Sequence, residues 1–265
     1  METAKKQSLI SGLDSGQFAP VMSGVMKRIL LSLSGLLLLS VFFTGCASTG
    51  SHGGILGASN YSVPVTKPTN PENVVVKVSL KNQAVYVMEN GKPLMVTATC
   101  TGKPGHETPK GTFKVTNKQK DKRSGTYGFY VNDSTGQIVP AHVRNRPAGQ
   151  GWRYVGHPLA YWVQFYPAYG FHVGWVWPVP KTHGCLRLHE NVVADFYHIV
   201  SVGNTVIIAD SLPEDQTIGR NLKRPTDYNA PDPSREFLVS ESFYRKYIPH
   251  AESKRRAGDI IISQL

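Results

Sequence analysis

Apolar and polar positions along the chain change character three times. Residues 1–25 read as a dispensable leader ahead of a second candidate start at Met26. After Lys27 and Arg28, residues 29–43 form an apolar run of about fifteen residues, short for a membrane span of roughly twenty but suited to the core of an export signal. A short uncleaved anchor is the alternative reading of that run. Residues 46–73 are rich in Gly, Ser, Thr, Asn and Pro without apolar periodicity, which predicts a flexible tether. From Val74 the pattern becomes that of β structure.

Residues 74–80 and 84–88 are strand-length, β-branched runs, and Glu89-Asn90-Gly91-Lys92 is a hairpin turn because Asn-Gly tolerates positive φ. The return strand runs from Leu94 to Thr101. A turn-rich loop over 102–111 precedes another alternating stretch, 112–116. Residues 117–158 are basic and turn-rich, with 127–132 and 137–143 pairing about Asp133–Gly136, and 159–166 forms an aromatic strand. One core helix is predicted, over 191–201, because Val192, Val193, Phe196, Ile199 and Val200 share a face and Gly203 supplies a stop. A closing strand follows at 204–209. Beyond Asp210 the chain is polar and Pro-punctuated, with a short aromatic helix at 240–247. The organisation is therefore a leader and export signal (1–45), a tether (46–73), one mostly β domain (74–210) and a C-terminal extension (211–265).

The net charge of +11 implies attraction to polyanions. For an exported chain, anionic envelope polymers or lipid headgroups fit better than nucleic acid, and a simple solvated surface is the plainer alternative. Small residues before Cys46 (Phe43-Thr44-Gly45-Cys46) resemble the lipobox of bacterial lipoproteins, which implies cleavage before Cys46 and lipid on its sulfur. The three cysteines cannot build a disulfide framework. Cys100 lies in an alternating stretch and reads as a small buried side chain. Cys185 then stands as a free thiol in an oxidising compartment, which favours use.

A cysteine attacks as its thiolate and needs a base or a positive field beside it. His172, His183 and His189 are the candidate bases for Cys185. Gly184 permits a tight backbone that directs amide N–H groups at an oxyanion. Arg187 shares a strand side with Cys185 and suits a carboxylate. His106, His142, His157 and His198 read as ordinary surface or core histidines. Neither CxxC nor HxxxH accompanies His172, His183 and Cys185, so no metal site is expected.

Residues 74–209 resemble the L,D-transpeptidase catalytic domain family (the YkuD type). The resemblance is carried, in order, by Thr101-Gly-Lys103, Thr108-Pro-Lys-Gly-Thr-Phe113, Gly170-Phe-His172, Thr182-His-Gly-Cys-Leu-Arg187 and Gly203-Asn-Thr-Val-Ile207. It implies a β-sandwich-like catalytic fold with one main helix and short helices. It implies Cys185 as nucleophile, His172 as its base, the Val173 carbonyl as the group orienting that histidine, and amides near Gly184 and Cys185 as the oxyanion hole. Thr182, His183 and Arg187 would then shape the site and contact substrate. Thr182 stands where the family usually has Ser. The Trp- and Pro-rich stretch between His172 and Cys185 predicts a stiff loop in which Trp175 and Trp177 are packing residues or substrate contacts.

The activity so implied is peptidoglycan cross-linking, a part of cell-wall biogenesis, through a thioester acyl-enzyme and without a cofactor. Cys185 would attack the third-position diamino acid of a tetrapeptide stem, release D-Ala and pass the acyl group to a neighbouring stem as a 3→3 link. Water as acceptor gives an L,D-carboxypeptidase; an envelope lipoprotein's lysine as acceptor or substrate gives an attaching or detaching enzyme. A wall-binding lipoprotein without activity and a general cysteine endopeptidase are the readings from other classes. The expected location is the cell envelope, anchored through Cys46, on the periplasmic face of a membrane if the bacterium has two.

Overall fold

A computed structural model of the chain describes residues 60–248. The export signal and Cys46 lie outside the described residues. Two five-stranded sheets share one apolar core. The first contains β1 (Val74–Ser79), β2 (Ala84–Glu89), β3 (Lys92–Ala98), β4 (Gly111–Lys114) and, closing it, β10 (Thr205–Ala209), in the order β3-β2-β1-β10-β4. The second contains β5 (Asn117–Asn132), β6 (Ile138–His142), β7 (Trp152–Tyr166), β8 (Tyr169–Val173) and β9 (Leu186–Leu188), in the order β6-β5-β7-β8-β9. The pairs β1–β10 and β8–β9 are parallel; the others are antiparallel. The fold is mostly β, as expected.

Alternation explains the core. Val76 and Val78 of β1, Val85 and Val87 of β2, and Val206 and Ile208 of β10 turn inward to meet Val163, Phe171 and Leu186 of the second sheet. The main helix α1 (Glu190–Ile199) adds Val192, Val193, Phe196 and Ile199, close to the residues its periodicity selected. His189 caps it, its Nδ1 accepting from the Asn191 amide.

Three stretches depart from the sequence reading. Residues 117–158 are not mainly turns, since most belong to the long strands β5 and β7, which pair over most of their lengths. Their register shifts between Arg123 and Gly128. There the backbones approach so closely that a Cβ on Gly156 would lie 1.9 Å from the Ser124 carbonyl, and one on Gly128 2.3 Å from that of Val155. The described end of the expected tether is not free either. Tyr61 is buried with its hydroxyl 2.9 Å from Thr97 Oγ1, Val65 bridges to Met95, and the Thr69 and Asn70 amides donate to Glu89.

The extension beyond residue 210 is equally engaged. Strand β2 is buried on both faces; the outer face, Ala84, Tyr86 and Met88, is covered by Leu212 and Leu222. Further on, α2 (Arg235–Val239) and α3 (Ser242–Tyr247) follow, and Phe243 and Tyr244 of α3 enter the main core.

Candidate active site

Cys185 sits at the entrance to β9, in a turn built from its own neighbours. The Gly184 N–H donates to Thr182 Oγ1 at 3.0 Å, and the Thr182 hydroxyl donates to the Cys185 carbonyl at 2.6 Å. Gly184 has φ +106°, and a Cβ there would lie 2.3 Å from the Tyr169 ring, so only glycine fits. Thr108 secures the turn from outside: its hydroxyl donates to the Gly184 carbonyl at 2.9 Å while accepting from the Gly102 amide at 3.0 Å. Lys103 N–H to the Thr182 carbonyl and Thr182 N–H to the Thr101 carbonyl, both 3.0 Å, complete the cradle. The Thr-Pro-x-Gly and His-Gly-Cys motifs are thus two halves of one hydrogen-bonded unit.

Parallel pairing of β8 with β9 sets Phe171 beside Leu186 and His172 beside Arg187. His172 is 5% exposed, and its Nδ1–H donates to the Val173 carbonyl at 2.7 Å. That bond fixes the ring and leaves Nε2 as the basic nitrogen. Burial, and next the Arg187 charge, push His172 down to about 3, against the carbonyl bond that favours its protonated form. Burial pushes the Cys185 thiol up, while the Gly170 amide and the Arg187 charge pull the other way. The thiol donates to the Ala168 carbonyl at 3.7 Å.

Cys185 and His172 line one cavity of about 780 Å³, together with His157, Trp162, His183 and Arg187. The bulge between β5 and β7 supplies part of its rim, where exposed Tyr127 stacks on His183 at 4.8 Å. His106 meets the same imidazole edge-on at 4.5 Å. The cavity's charged lining residues are Lys122 and Arg187, so it suits an anion.

Five of the residues considered for the site do other work. The Gly184 amide is committed to Thr182, so it is not a free oxyanion donor. Thr182 is 2% exposed and its hydroxyl is spent inside the turn, so it braces the backbone at Cys185 and does not face the cavity with a free hydroxyl. Trp175 and Trp177 do not line the cysteine's cavity; they line a second one on the other side of His172. Trp175 is buried, and Trp177 carries the Arg187 guanidinium over its ring at 5.3 Å. His189, an early candidate base, instead pairs its Nε2 with Asp227 at 2.8 Å in the core.

Sequence reasoning missed His157, Trp162, Tyr169 and Ala168. Strand pairing and the β7–β8 turn bring these in; of the four, Trp162 lies in the expected aromatic strand 159–166, with nothing there to mark it as a site residue. Among the described residues no group of three His, Cys, Asp or Glu side chains is arranged to hold a metal ion.

The family model of the YkuD L,D-transpeptidase catalytic domain matches residues 73–208, just over half of the chain. The chain belongs to that family. L,D-transpeptidase 1 of Mycobacterium tuberculosis is 26% identical over 130 residues, covering 48% of this chain and 47% of the relative. The chain therefore spans about half the length of the curated relatives it matches. Among solved structures, an L,D-transpeptidase from Stackebrandtia nassauensis is 22% identical over 56% of this chain and 60% of its own, with a TM-score of 0.38. One from Mycobacterium smegmatis is 20% identical over 52% and 58%, also with a TM-score of 0.38.

Proposed function

We propose that this chain is a peptidoglycan L,D-transpeptidase in which Cys185 attacks the third-position carbonyl of a tetrapeptide stem and His172 handles the proton. The observation that carries the reading is the shared cavity. A thiol and an imidazole whose Nδ1 is held by a backbone carbonyl open onto one basic, Trp-lined space.

The first half-reaction follows from the groups present. In the resting site the proton stays on sulfur, since burial favours the neutral form of both partners. As sulfur approaches the stem carbonyl, its proton passes to His172 Nε2, and the carbonyl oxygen gains negative charge. The Cys185 N–H, next to the reacting sulfur, meets that charge, whereas Gly184's is engaged. Collapse breaks the peptide bond to D-Ala, whose amine takes the proton from His172. A thioester remains on Cys185. Attack by an amine of a neighbouring stem gives the 3→3 cross-link. Attack by water gives the tripeptide stem, and a lipoprotein's lysine as acceptor would attach that lipoprotein to the wall.

Intact-protein mass spectrometry after mixing with a tetrapeptide muropeptide tests the acylation step. The expected result is an adduct lacking the mass of D-Ala, absent from Cys185→Ala. Turnover of tetrapeptide stems by folded Cys185→Ala would overturn the reading, and binding without any adduct on Cys185 would make the chain a wall-binding protein. Export and lipid attachment at Cys46 belong to the same proposal and rest on residues 26–46 of the sequence. Incorporation of labelled fatty acid in cells, lost in Cys46→Ser, is the expected outcome; equal labelling of the variant would remove the anchor.

A further inference from the structure

Strands β5 and β7 separate beside the nucleophile's cavity. Arg123 faces Pro158 and Gly128 faces Gly156, so residues 124–127 stand against His157 alone and have no partner on β7. All four line the cavity of Cys185. A bulge re-aims a strand by giving up ladder hydrogen bonds, so other contacts must hold it in place. Its far end is held by β6: Tyr127 faces His142, and the Val143 N–H donates to the Thr126 carbonyl at 2.8 Å. Within it, Ser124 Oγ accepts from the Thr126 and Tyr127 amides at 3.2 and 3.1 Å.

The near end is held from the C-terminal extension. Arg123 Nη1 donates across the bulge to the Gly156 carbonyl at 3.1 Å, and to the Leu238 carbonyl at 3.0 Å. Its Nη2 donates to the Ser240 carbonyl at 3.1 Å and, at 3.4 Å each, to the Val239 carbonyl and Glu241 Oε1. The guanidinium thus satisfies carbonyls that the end of α2 leaves open. It also lies over the Tyr244 ring of α3 at 5.0 Å, and the Tyr244 hydroxyl donates to the Lys122 carbonyl. Both residues leading into the bulge are therefore fixed by residues 238–244, which follow the part matched by the family model. Arg123 is not among the residues lining the cavity of Cys185.

We propose that Arg123 is a positioning residue for the donor stem, and that the segment carrying α2 and α3 is through it a functional part of the active site. The inference rests on the function proposed above: the stem that reaches Cys185 lies against residues 124–127, and Arg123 sets where those residues stand. A planar fork is suited to this task, because one guanidinium meets acceptors on β7 and on α2 together, whereas an ammonium is a point charge. Loosening the bulge weakens the hold on the stem. Cys185 and His172 keep their geometry, since Thr108 and the Val173 carbonyl fasten them independently.

Single-turnover acylation of the full chain by tetrapeptide muropeptide, read by intact mass over a range of concentrations, tests this. Arg123→Met should raise the half-maximal concentration about tenfold while the limiting rate stays within about threefold of wild type. Arg123→Lys, which keeps the charge and loses the fork, should resemble Arg123→Met. Tyr244→Phe should raise the half-maximal concentration about threefold, and it decides the matter if the Arg123 variants do not fold. Hydrogen exchange of the 124–127 amides should quicken in the variants that bind weakly. An unchanged half-maximal concentration in the folded variants overturns the inference. So does a wild-type value in Arg123→Lys beside a raised one in Arg123→Met, which would make Arg123 a charge contact to the stem. A fall confined to the limiting rate overturns it too. Absence of any thioester in the wild type would instead remove the proposed function.

Discussion

At Cys185 and His172, burial acts in opposite directions on the two groups that exchange one proton in the proposed reaction: it raises the thiol and lowers the imidazole. A preformed thiolate–imidazolium pair would alkylate quickly near neutral pH; this pair should not. Iodoacetamide is therefore expected to label Cys185 slowly at pH 7, with a rate that climbs through pH 9 and beyond, as thiolate accumulates only above the ordinary thiol range. Peptide mapping separates this signal from Cys46 and from Cys100, which is fully buried. Fast labelling at pH 6 would show that the ion pair exists before substrate arrives. The residues of this pair were legible in the sequence through the family resemblance, since spacing alone left His172, His183 and His189 open; the structure places His172 in the cavity of Cys185 with its ring bonded to the Val173 carbonyl. Gly184 was legible as a residue of tight backbone, but Thr182 was expected to contact substrate and not to brace the turn. Whether a hydroxyl faces substrate or its own backbone depends on turn geometry, which residue type leaves open. His157 carried no sign at all, since a histidine within a long strand looks the same whether it faces a core or a cavity.

Between elements, the turn 182–185 is held by one stretch distant in sequence, 101–108, and in the proposed reaction the stiffness of the turn aims the sulfur. Removing the hydroxyl in Thr182→Ala deletes the donor to the Cys185 carbonyl and the acceptor for the Gly184 amide together. The freed Gly184 amide leaves the turn without its brace, and misplacement of a nucleophile by about 1 Å can cost on the order of 100-fold in rate. Acylation of Thr182→Ala should fall by about 10- to 100-fold with the fold retained, while Thr182→Ser, which keeps the oxygen, stays near wild type. Equal rates for the two variants in single-turnover acylation would show that the hydroxyl does not hold the turn. The same elements show why β5 and β7 were hard to read. Their outer halves carry Lys, Arg, Gly and Ser at partly exposed positions, so polarity there imitates a loop. The hairpin at Glu89–Lys92 and helix α1 were plain because a tight turn and a packed face each demand particular residues in consecutive positions.

Across the whole molecule, both flanks of the family domain are fastened to it. On the N-terminal side Tyr61 enters the core and Glu89 accepts from two backbone amides of the incoming chain. On the C-terminal side Asp215 binds Ser79 and Tyr86, Arg224 donates to Asn82, and Asp227 meets His189. The last contact reaches deepest. His189 is wholly buried, caps α1 through Nδ1, and has Asp227 as the partner of Nε2. Composition hid this, because a polar, Pro-rich segment satisfies buried polar groups through its side chains while showing no apolar period of its own. Asp227→Ala would strand a buried ring nitrogen beneath α1, at a cost of about 1–3 kcal/mol. For a folded region of this size that corresponds to a fall of about 2–12 °C in melting temperature. Asp227→Asn, which can still hydrogen-bond the ring, should lose less. If thermal melts of Asp227→Ala and wild type coincide, the segment merely drapes over the domain. If they separate as expected, a contact made by chain beyond the part matched by the family model anchors the main helix of the domain.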